Sequence, residues 1–276
     1  MTLDDIEAVL DGTAPKAREA MFKIVRDTGL CAVGLFAVSI SKQGEELRLA
    51  GSGTLVSVGG LHYILTARHV WEDALKSASK IGITLKTKVD HSFLMDTQTV
   101  VPFGPARANE WSESGPDIVL LRIPEAHVGT IEAAGRSFYN LSISEPAPPN
   151  VERLVTWVLI GAPECRGKFS ARHASIEMRG SEVAIQNRQQ SGGFDTIDGL
   201  VKVSDLPDPK SLGGVSGGGL WKVHLFDLPS MGVIDSVAIL EGVAFWQFPV
   251  QNNHRTVRCH GPESIRSLAR EVENAK

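Results

Sequence analysis

The sequence predicts an all-β fold of antiparallel strands, and the pattern of its apolar runs carries this prediction. From Leu30 onward, short apolar runs typical of strands alternate with glycine and polar residues. The interruptions come roughly every 8–12 residues, which is the spacing of antiparallel sandwiches and barrels. With 276 residues, of which 42% are hydrophobic, the chain is long enough for one large domain or two small ones with real cores.

Charge and composition argue against several function classes. A net charge of −4 does not indicate a surface that binds nucleic acid. No apolar run reaches the roughly 18 residues of a membrane helix, and the acidic start MTLDDIEAVLDG is unlike a secretory signal. We therefore expect a cytoplasmic protein whose mature chain starts at or near Met1, with no nucleic-acid or membrane partner.

The three cysteines are sparse, and their spacing fits neither a disulfide framework nor a metal site: Cys31, Cys165 and Cys259. We expect them to be reduced thiols. Nothing in the sequence indicates a metal ion or an organic cofactor.

Two helical stretches precede the strands. The first begins at a pair that resembles a capping box, Thr2 and Asp5, and the second follows Pro15 and is ended by Gly29. Their apolar residues repeat at helical spacing: Leu3, Ile6, Val9 and Leu10, then Ala17, Met21, Ile24 and Val25. These helices either pack on the strands or form a docking surface for a regulatory protein, and the sequence leaves both open.

A histidine stands at the end of one predicted strand. This strand follows the hairpin signal Gly59-Gly60, ends at residues 66–68 and leads into His69, where a short helical turn begins. At the mouth of a strand, His69 can reach into a cleft, or it can be a structural histidine. No comparable setting surrounds the other seven histidines: His62, His91, His127, His173, His224, His254 and His260.

An acidic residue precedes another apolar run. Asp117 adjoins Ile118–Leu121, a continuous apolar run that predicts a buried strand. A carboxylate in that position loses part of its hydration and needs a hydrogen-bond donor. Alternatively, Asp117 is an ordinary turn residue before a strand.

The most unusual stretch is GGVSGGGLW, residues 213–221, in which five glycines surround Ser216. Glycine is used where the main chain takes left-handed dihedrals or approaches another group closely. Such a loop can present a hydroxyl beside N–H groups that point at a common spot, as a nucleophile with an oxyanion hole requires. The alternatives are a flexible loop or a phosphate cradle, although the Gly-Lys-Ser/Thr of a P-loop is missing.

The segments around His69, Asp117 and Ser216 together resemble those of the trypsin-like (chymotrypsin-fold) serine peptidases. GSGTLVS with ILTARHV, PDIVLLRI and GGVSGGGLW are similar to the family's histidine, aspartate and serine motifs, and they occur in the family's order and at suitable intervals. The resemblance covers roughly residues 30–275. It implies two six-stranded antiparallel β-barrels with added N-terminal helices and a C-terminal helix that Pro262 opens, the apolar face of which is Ile265, Leu268, Ala269 and Val272.

The implied organisation has five segments, because a Ser- and Pro-rich stretch without periodicity separates two groups of strands. They are a helical extension (1–29), a barrel with His69 and Asp117 (30–140), a linker (141–153), a barrel with Ser216 (154–260) and a last helix (261–276).

The resemblance also implies roles. Ser216 would be the nucleophile, His69 the general base and then acid, and Asp117 the group that orients the imidazole. The main-chain N–H groups of Gly214 and Ser216 would hold the oxyanion. The implied activity is a serine endopeptidase that cleaves protein or peptide substrates through an acyl-enzyme.

Four further positions are candidates for substrate binding. Phe245, Trp246 and Gln247 match the strand that lines the family's substrate cleft. Lys210, six residues before Ser216, matches the base of the specificity pocket. There it would favour an acidic side chain before the cleaved bond, but it can equally be a solvated surface lysine.

Two positions depart from the family. Val215 replaces the aspartate that, in secreted members, pairs with a new N-terminus released by cleavage, so activation by clipping is not expected. The oxyanion loop is then either formed constitutively or ordered by a regulatory partner. Phe245 replaces a serine that supports the catalytic aspartate in many relatives, so Asp117 must find another donor, such as a main-chain amide.

The missing aspartate is typical of bacterial-type members, and only a short helix follows residue 261. We therefore expect an intracellular member without an appended PDZ module. The alternative function is a catalytically silent binding or regulatory module on the same fold.

Overall fold

The computed structural model describes residues 15–41, 44–85, 92–105, 113–142, 152–164, 167–170, 173–176, 178–191, 193–202, 212–228 and 233–275. The helices in this part of the chain are α1 (Pro15–Gly29), α2 (Glu125–Ala133) and α3 (Pro262–Asn274), with a π-helix at Val70–Leu75 and a 3₁₀ turn at Thr97–Thr99. The strands are β1 (Ala32–Ser41), β2 (Gly44–Val58), β3 (Leu61–Thr66), β4 (Lys80–Thr84), β5 (Ser92–Asp96), β6 (Val101–Phe103), β7 (Val119–Arg122), β8 (Tyr139–Asn140), β9 (Glu152–Gly161), β10 (Gly167–Ser170), β11 (His173–Ile176), β12 (Arg179–Ser191), β13 (Phe194–Lys202), β14 (Gly219–Leu228), β15 (Val233–Gln247) and β16 (His254–His260).

The C-terminal half is a closed barrel of six antiparallel strands, in the order β12-β13-β16-β15-β14-β9. Closure leaves the barrel without an unpaired edge. Its interior is filled by buried aliphatic side chains, among them Leu159, Val183, Ile197, Leu220 and Val257.

The N-terminal half is a half-barrel in the order β5-β4-β1-β2-β3-β7-β6, with β8 paired in parallel to β2. The expected hairpin at Gly59-Gly60 joins β2 and β3, and both glycines have the positive φ that such a tight turn requires. The core of this half contains Leu35, Leu55, Ile64 and Leu121.

A third cluster of apolar side chains lies between the halves. Because side chains alternate along a strand, Ile64 points into the N-terminal core while its neighbour Leu65 joins this shared cluster. In the same way, Leu159 points into the barrel and Ile160 joins the shared cluster. The other large members include Trp221.

Helices cover this shared cluster at both ends of the chain. Ile24 of α1 is buried in it, and α3 contributes the apolar face expected from the sequence, Ile265, Leu268, Ala269 and Val272. Asp195 of β13 caps α3, because its carboxylate accepts hydrogen bonds from the N–H groups of Glu263 and Ser264.

The all-β fold class is therefore confirmed, with one barrel closed and the other half forming a half-barrel in the described residues. The helix expected to end at Gly29 is also present. The expected first helix, with its face of Leu3 to Leu10, lies outside the described residues, and the five segment boundaries stay predictions.

Candidate active site

The ends of two paired strands bring His69 and Asp117 together. Strands β3 and β7 are antiparallel, with Thr66 opposite Val119, so the residues just after β3 lie beside those just before β7. There the Asp117 carboxylate contacts the same residue twice. Its Oδ2 lies 2.6 Å from the Nδ1 atom of His69, and its Oδ1 accepts a hydrogen bond of 2.8 Å from the His69 main-chain N–H.

This contact defines the chemistry of the imidazole. A carboxylate only accepts hydrogen bonds, so the proton of a neutral His69 ring lies on Nδ1, and Nε2 is the acceptor nitrogen. The Asp117 side chain is 3% exposed and that of His69 is 27% exposed. From the sequence, we expect a donor such as a main-chain amide for the Asp117 carboxylate, and the His69 N–H is such a donor.

A second histidine holds Asp117 from the other side. The main-chain N–H of Asp117 donates a 2.8 Å hydrogen bond to Nε2 of His260, and His260 is fully buried. Burial lowers the pKa of the His260 imidazole to about 4, although the negative charges of Asp117 and Asp195 act in the opposite direction. The ring is therefore neutral at physiological pH and can accept this bond.

Phe245 completes this side of the site. The pairing of β15 with β16 shifts register between Ala244 and Trp246, so Phe245 is the extra residue of a β-bulge. A bulge redirects a side chain, and here the ring turns inward and stacks on His260 with centroids 4.3 Å apart. Because the ring is 2% exposed, any contact of Phe245 with a peptide would come from its main chain.

The turn that carries Ser216 is built from main-chain hydrogen bonds. All five carbonyl oxygens of residues 212–216 accept one: from Val215 N–H, Glu164 N–H, Ser52 Oγ, Gly218 N–H and Ser52 N–H, in that order. Among the described residues, the N–H groups of Gly214 and Ser216 have no hydrogen-bond acceptor. The Ser216 residue is partly exposed.

This turn is attached to the half that holds His69. The Ser52 N–H donates to the Ser216 carbonyl over 2.7 Å, and Ser52 lies on β2 beside the end of β3, since Thr54 pairs with Leu65. Gly51 leaves room for this contact. A Cβ at Gly51 would lie 2.9 Å from the Ser216 carbonyl oxygen and 2.7 Å from a methyl group of Val70, the residue after His69.

The turn is also attached to β15. The Gly217 N–H donates to the Ala244 carbonyl over 2.7 Å, and the Ala244 N–H donates to the Gly218 carbonyl over 2.9 Å. Ala244 precedes Phe245, which stacks on the histidine that binds Asp117. The Ser216 turn and the His69–Asp117 pair are thus linked both through β2 and through β15.

The remaining candidate residues have different settings. Trp246 is partly buried against the N-terminal core. Gln247 is exposed, and its Oε1 accepts hydrogen bonds from the Leu212 N–H and from Nη1 of Arg255. Lys210 lies outside the described residues, so its role stays a prediction.

Sequence analysis missed two residues of this site. His260 was set aside with the other histidines because its local sequence carries no signal, and it meets Asp117 from 143 positions away. Ser52 is a fully buried serine within a strand. The glycines on both sides of Ser52 were the only local sign that another segment approaches it closely.

Other chemistries find little support in the described residues. Burial raises the pKa of the Cys31 thiol to about 11 and also raises that of Cys259, which disfavours the reactive thiolate; Cys165 lies outside the described part. Within that part, no three His, Cys, Asp or Glu side chains are grouped to hold a metal ion. None of its helices combines the length and apolar character needed to span a bilayer.

Comparison with known proteins finds similarity in structure but not in sequence. No family model matches the sequence, and no curated protein sequence matches it either. The active form of the Rv3671c protease from M. tuberculosis is similar in structure, with a TM-score of 0.49 and 14% sequence identity. The match covers 94% of this chain and 88% of that chain. At this identity, a likeness does not transfer an activity from one protein to the other.

Proposed function

We propose that the protein is a serine endopeptidase that uses Ser216, His69 and Asp117. The observation that carries the proposal is the double contact of the Asp117 carboxylate with the ring and the main chain of His69. A buried carboxylate that fixes one tautomer of a partly exposed imidazole is the arrangement that a histidine base needs.

In the proposed mechanism, Nε2 of His69 takes the proton from the Ser216 hydroxyl as its oxygen attacks the peptide carbonyl. The negative charge of Asp117 stabilises the imidazolium that forms. His69 then gives the proton to the leaving amine, which leaves an acyl-enzyme on Ser216. A water molecule, deprotonated by the same imidazole, then attacks the acyl carbon. The bond from this carbon to the Ser216 oxygen breaks, His69 returns the proton to that oxygen, and the acid product leaves.

The oxyanion would be held by the N–H groups of Gly214 and Ser216. In a trans peptide the N–H points away from the preceding carbonyl. The carbonyls of Gly213 and Val215 are bound by the N–H groups of Glu164 and Gly218, so the two N–H groups are directed away from those donors. Fixed donors of this kind stabilise charge that develops in the transition state.

The substrate would be an extended peptide added to β15. In the described residues, pairing of β15 with β14 ends at Val243, while Trp246 and Gln247 pair with β16. One edge of residues 245–247 is therefore available for strand addition, a common mode of peptide recognition. We propose protein or peptide substrates on this ground. A regulatory partner and the preference of Lys210 for acidic substrates stay predictions.

The test compares the wild-type protein with Ser216→Ala and His69→Ala. We expect a fluorophosphonate probe to label the wild type at residue 216, and a peptide library to be cleaved by the wild type alone. The matched control is Ser137→Ala, which removes the hydroxyl of an exposed serine outside the site and should leave both results unchanged.

A folded wild-type protein that neither reacts with the probe nor cleaves any peptide would contradict the proposal. That result would favour the alternative, a silent binding or regulatory module on the same fold.

A further inference from the structure

The turn around Ser216 needs a support that the sequence does not reveal. In secreted relatives an ion pair of an aspartate holds this turn, and here Val215 occupies that position. Val215 is buried among the apolar side chains of the barrel, including Leu159, Leu212 and Leu220. It therefore anchors the turn by packing, but a methyl group cannot fix the direction of a peptide carbonyl.

Ser52 makes the polar contacts to the turn that the apolar Val215 side chain cannot make. Its hydroxyl donates to the Gly214 carbonyl over 2.6 Å and accepts a bond of 2.8 Å from the Ala162 N–H. Its main-chain N–H binds the Ser216 carbonyl, and its own carbonyl accepts a 2.7 Å bond from the Thr66 hydroxyl. Every polar group of this buried residue is thus paired.

Along the chain, the bound Gly214 carbonyl lies between the two N–H groups assigned to the oxyanion, and the bound Ser216 carbonyl directly follows the second of them. Gly214 has a φ of +84°, and without a side chain it has many alternative conformations. Binding of its carbonyl by Ser52 removes that freedom. With the Ser216 carbonyl also fixed, the segment from Gly214 to Ser216 is held at each end by one residue.

We propose that Ser52 is a positioning residue that keeps the 212–216 turn in the shape required for an oxyanion hole, without an activating N-terminus. This inference rests on the proposed peptidase function and favours a constitutively formed turn over one ordered by a partner. Ser52 touches no reacting atom and acts only through the direction of the Gly214 and Ser216 peptide groups.

The experiment replaces Ser52 by Ala in the full-length chain and measures hydrolysis of a peptide amide. We expect kcat to fall by about 100-fold, as on loss of an oxyanion donor, with KM within about twofold of the wild type. The Ki of a peptide boronate, which forms a tetrahedral adduct with the serine, should rise by the same factor as kcat/KM falls. The affinity for a non-covalent product peptide should not change.

Thr54→Val is the matched control. Thr54 is a buried hydroxyl residue on the same strand, two positions along, and its hydroxyl has no hydrogen-bond partner among the described residues. Its replacement should change kcat and the boronate Ki by less than about twofold. Ser52→Cys keeps a weak donor and should have a kcat between those of Ser52→Ala and the wild type.

The outcomes separate the two proposals. If the wild type is inert, the proposed function fails and the role of Ser52 fails with it. If the wild type is active and Ser52→Ala keeps its kcat, only the role of Ser52 fails. If Ser52→Ala does not fold, as judged by near-UV circular dichroism, Ser52→Cys decides: a wild-type kcat and boronate Ki would overturn the inference.

Discussion

The two sides of the candidate site are built from different parts of the chain. Around Asp117 the supports are mostly side chains: the His69 ring binds its carboxylate, the His260 ring accepts from its main-chain N–H, and the Phe245 ring stacks on His260. Around Ser216 the supports are main-chain carbonyls, glycines and a single hydroxyl. The first side should respond to pH and to the chemistry of single side chains, whereas the second should respond to the shape of the backbone.

The largest effect is expected from Asp117→Asn on the side-chain-built half. The amide keeps the size of the carboxylate but removes its charge and stabilises the wrong tautomer of His69. We expect kcat to fall by about 10,000-fold, measured on a peptide substrate at neutral pH. The surface substitution Asp27→Asn is the control. An Asp117→Asn protein that is folded and keeps a tenth of the wild-type rate would contradict the role of Asp117.

The next effect concerns backbone shape at the serine turn. Gly217 has a φ of +87°, and a Cβ there would collide with the Ser52 carbonyl oxygen and the Thr66 hydroxyl. Because backbone atoms cannot move aside cheaply, we expect Gly217→Ala to lower kcat by about 1,000-fold, the upper range for loss of an oxyanion donor.

Gly135→Ala is the matched control for Gly217→Ala. Gly135 also has a positive φ, +84°, but a Cβ there would meet no atom within 4 Å. We expect it to cost about 1–2 kcal/mol of stability, because a Cβ disfavours left-handed backbone, and to leave kcat unchanged. Equal loss of activity in both variants would show that positive φ alone, and not the close approach to Ser52, is what matters.

The third effect is a pH dependence of stability that His260 produces. Its pKa is about 4 in the folded protein against an ordinary 6.5. Between these values the unfolded chain takes up a proton that the folded chain does not, so the free energy of unfolding decreases as the pH falls from 6.5 to 4. The full loss is about 3 kcal/mol, or roughly 300-fold in the unfolding equilibrium. Above pH 6.5 the contribution is constant.

Urea unfolding at several pH values measures this effect. His260→Gln has no titrating group at the position. Between pH 6.5 and 4 its free energy of unfolding should therefore fall by about 3 kcal/mol less than that of the wild type. Identical pH profiles for the wild type and His260→Gln would show that another group causes the acid sensitivity.

The smallest effect is that of His260 substitutions on the rate of peptide hydrolysis at neutral pH. His260→Leu leaves the Asp117 N–H buried without an acceptor, which costs about 1–3 kcal/mol and lets the aspartate loop shift. We expect kcat to fall by about tenfold with little change in KM. His260→Gln offers an amide oxygen as acceptor and should recover most of the rate. If both variants have the wild-type kcat, the histidine supports stability alone.

The sequence was sufficient where a local pattern decides the structure. The apolar run before His69 and the one after Asp117 are strands β3 and β7, and the pairing of two such strands explains why their ends meet. The apolar face of the last helix was also predictable, since its spacing and Pro262 are local features. Each of these elements depends on residues close together in the chain.

The sequence was not sufficient where a contact joins distant segments. His260 meets Asp117 across 143 positions, and Ser52 meets Gly214 across 162. The sequence around His260 carries no sign of this contact, and the glycines on both sides of Ser52 indicate a close approach without naming its partner. The inward turn of Phe245 depends on a bulge, which arises from the register between β15 and β16 and not from the residue itself.

The apolar cluster shared by the two halves has a thermodynamic consequence. Leu65 and Leu120 of the N-terminal half pack in it together with Ile160 and Trp221 of the barrel, so neither half can lose its structure without exposing the other. Melting should therefore be a single cooperative transition. Ser216 stands on one half and His69 on the other, and hydrolysis should disappear along the denaturant axis at the same midpoint as tryptophan fluorescence.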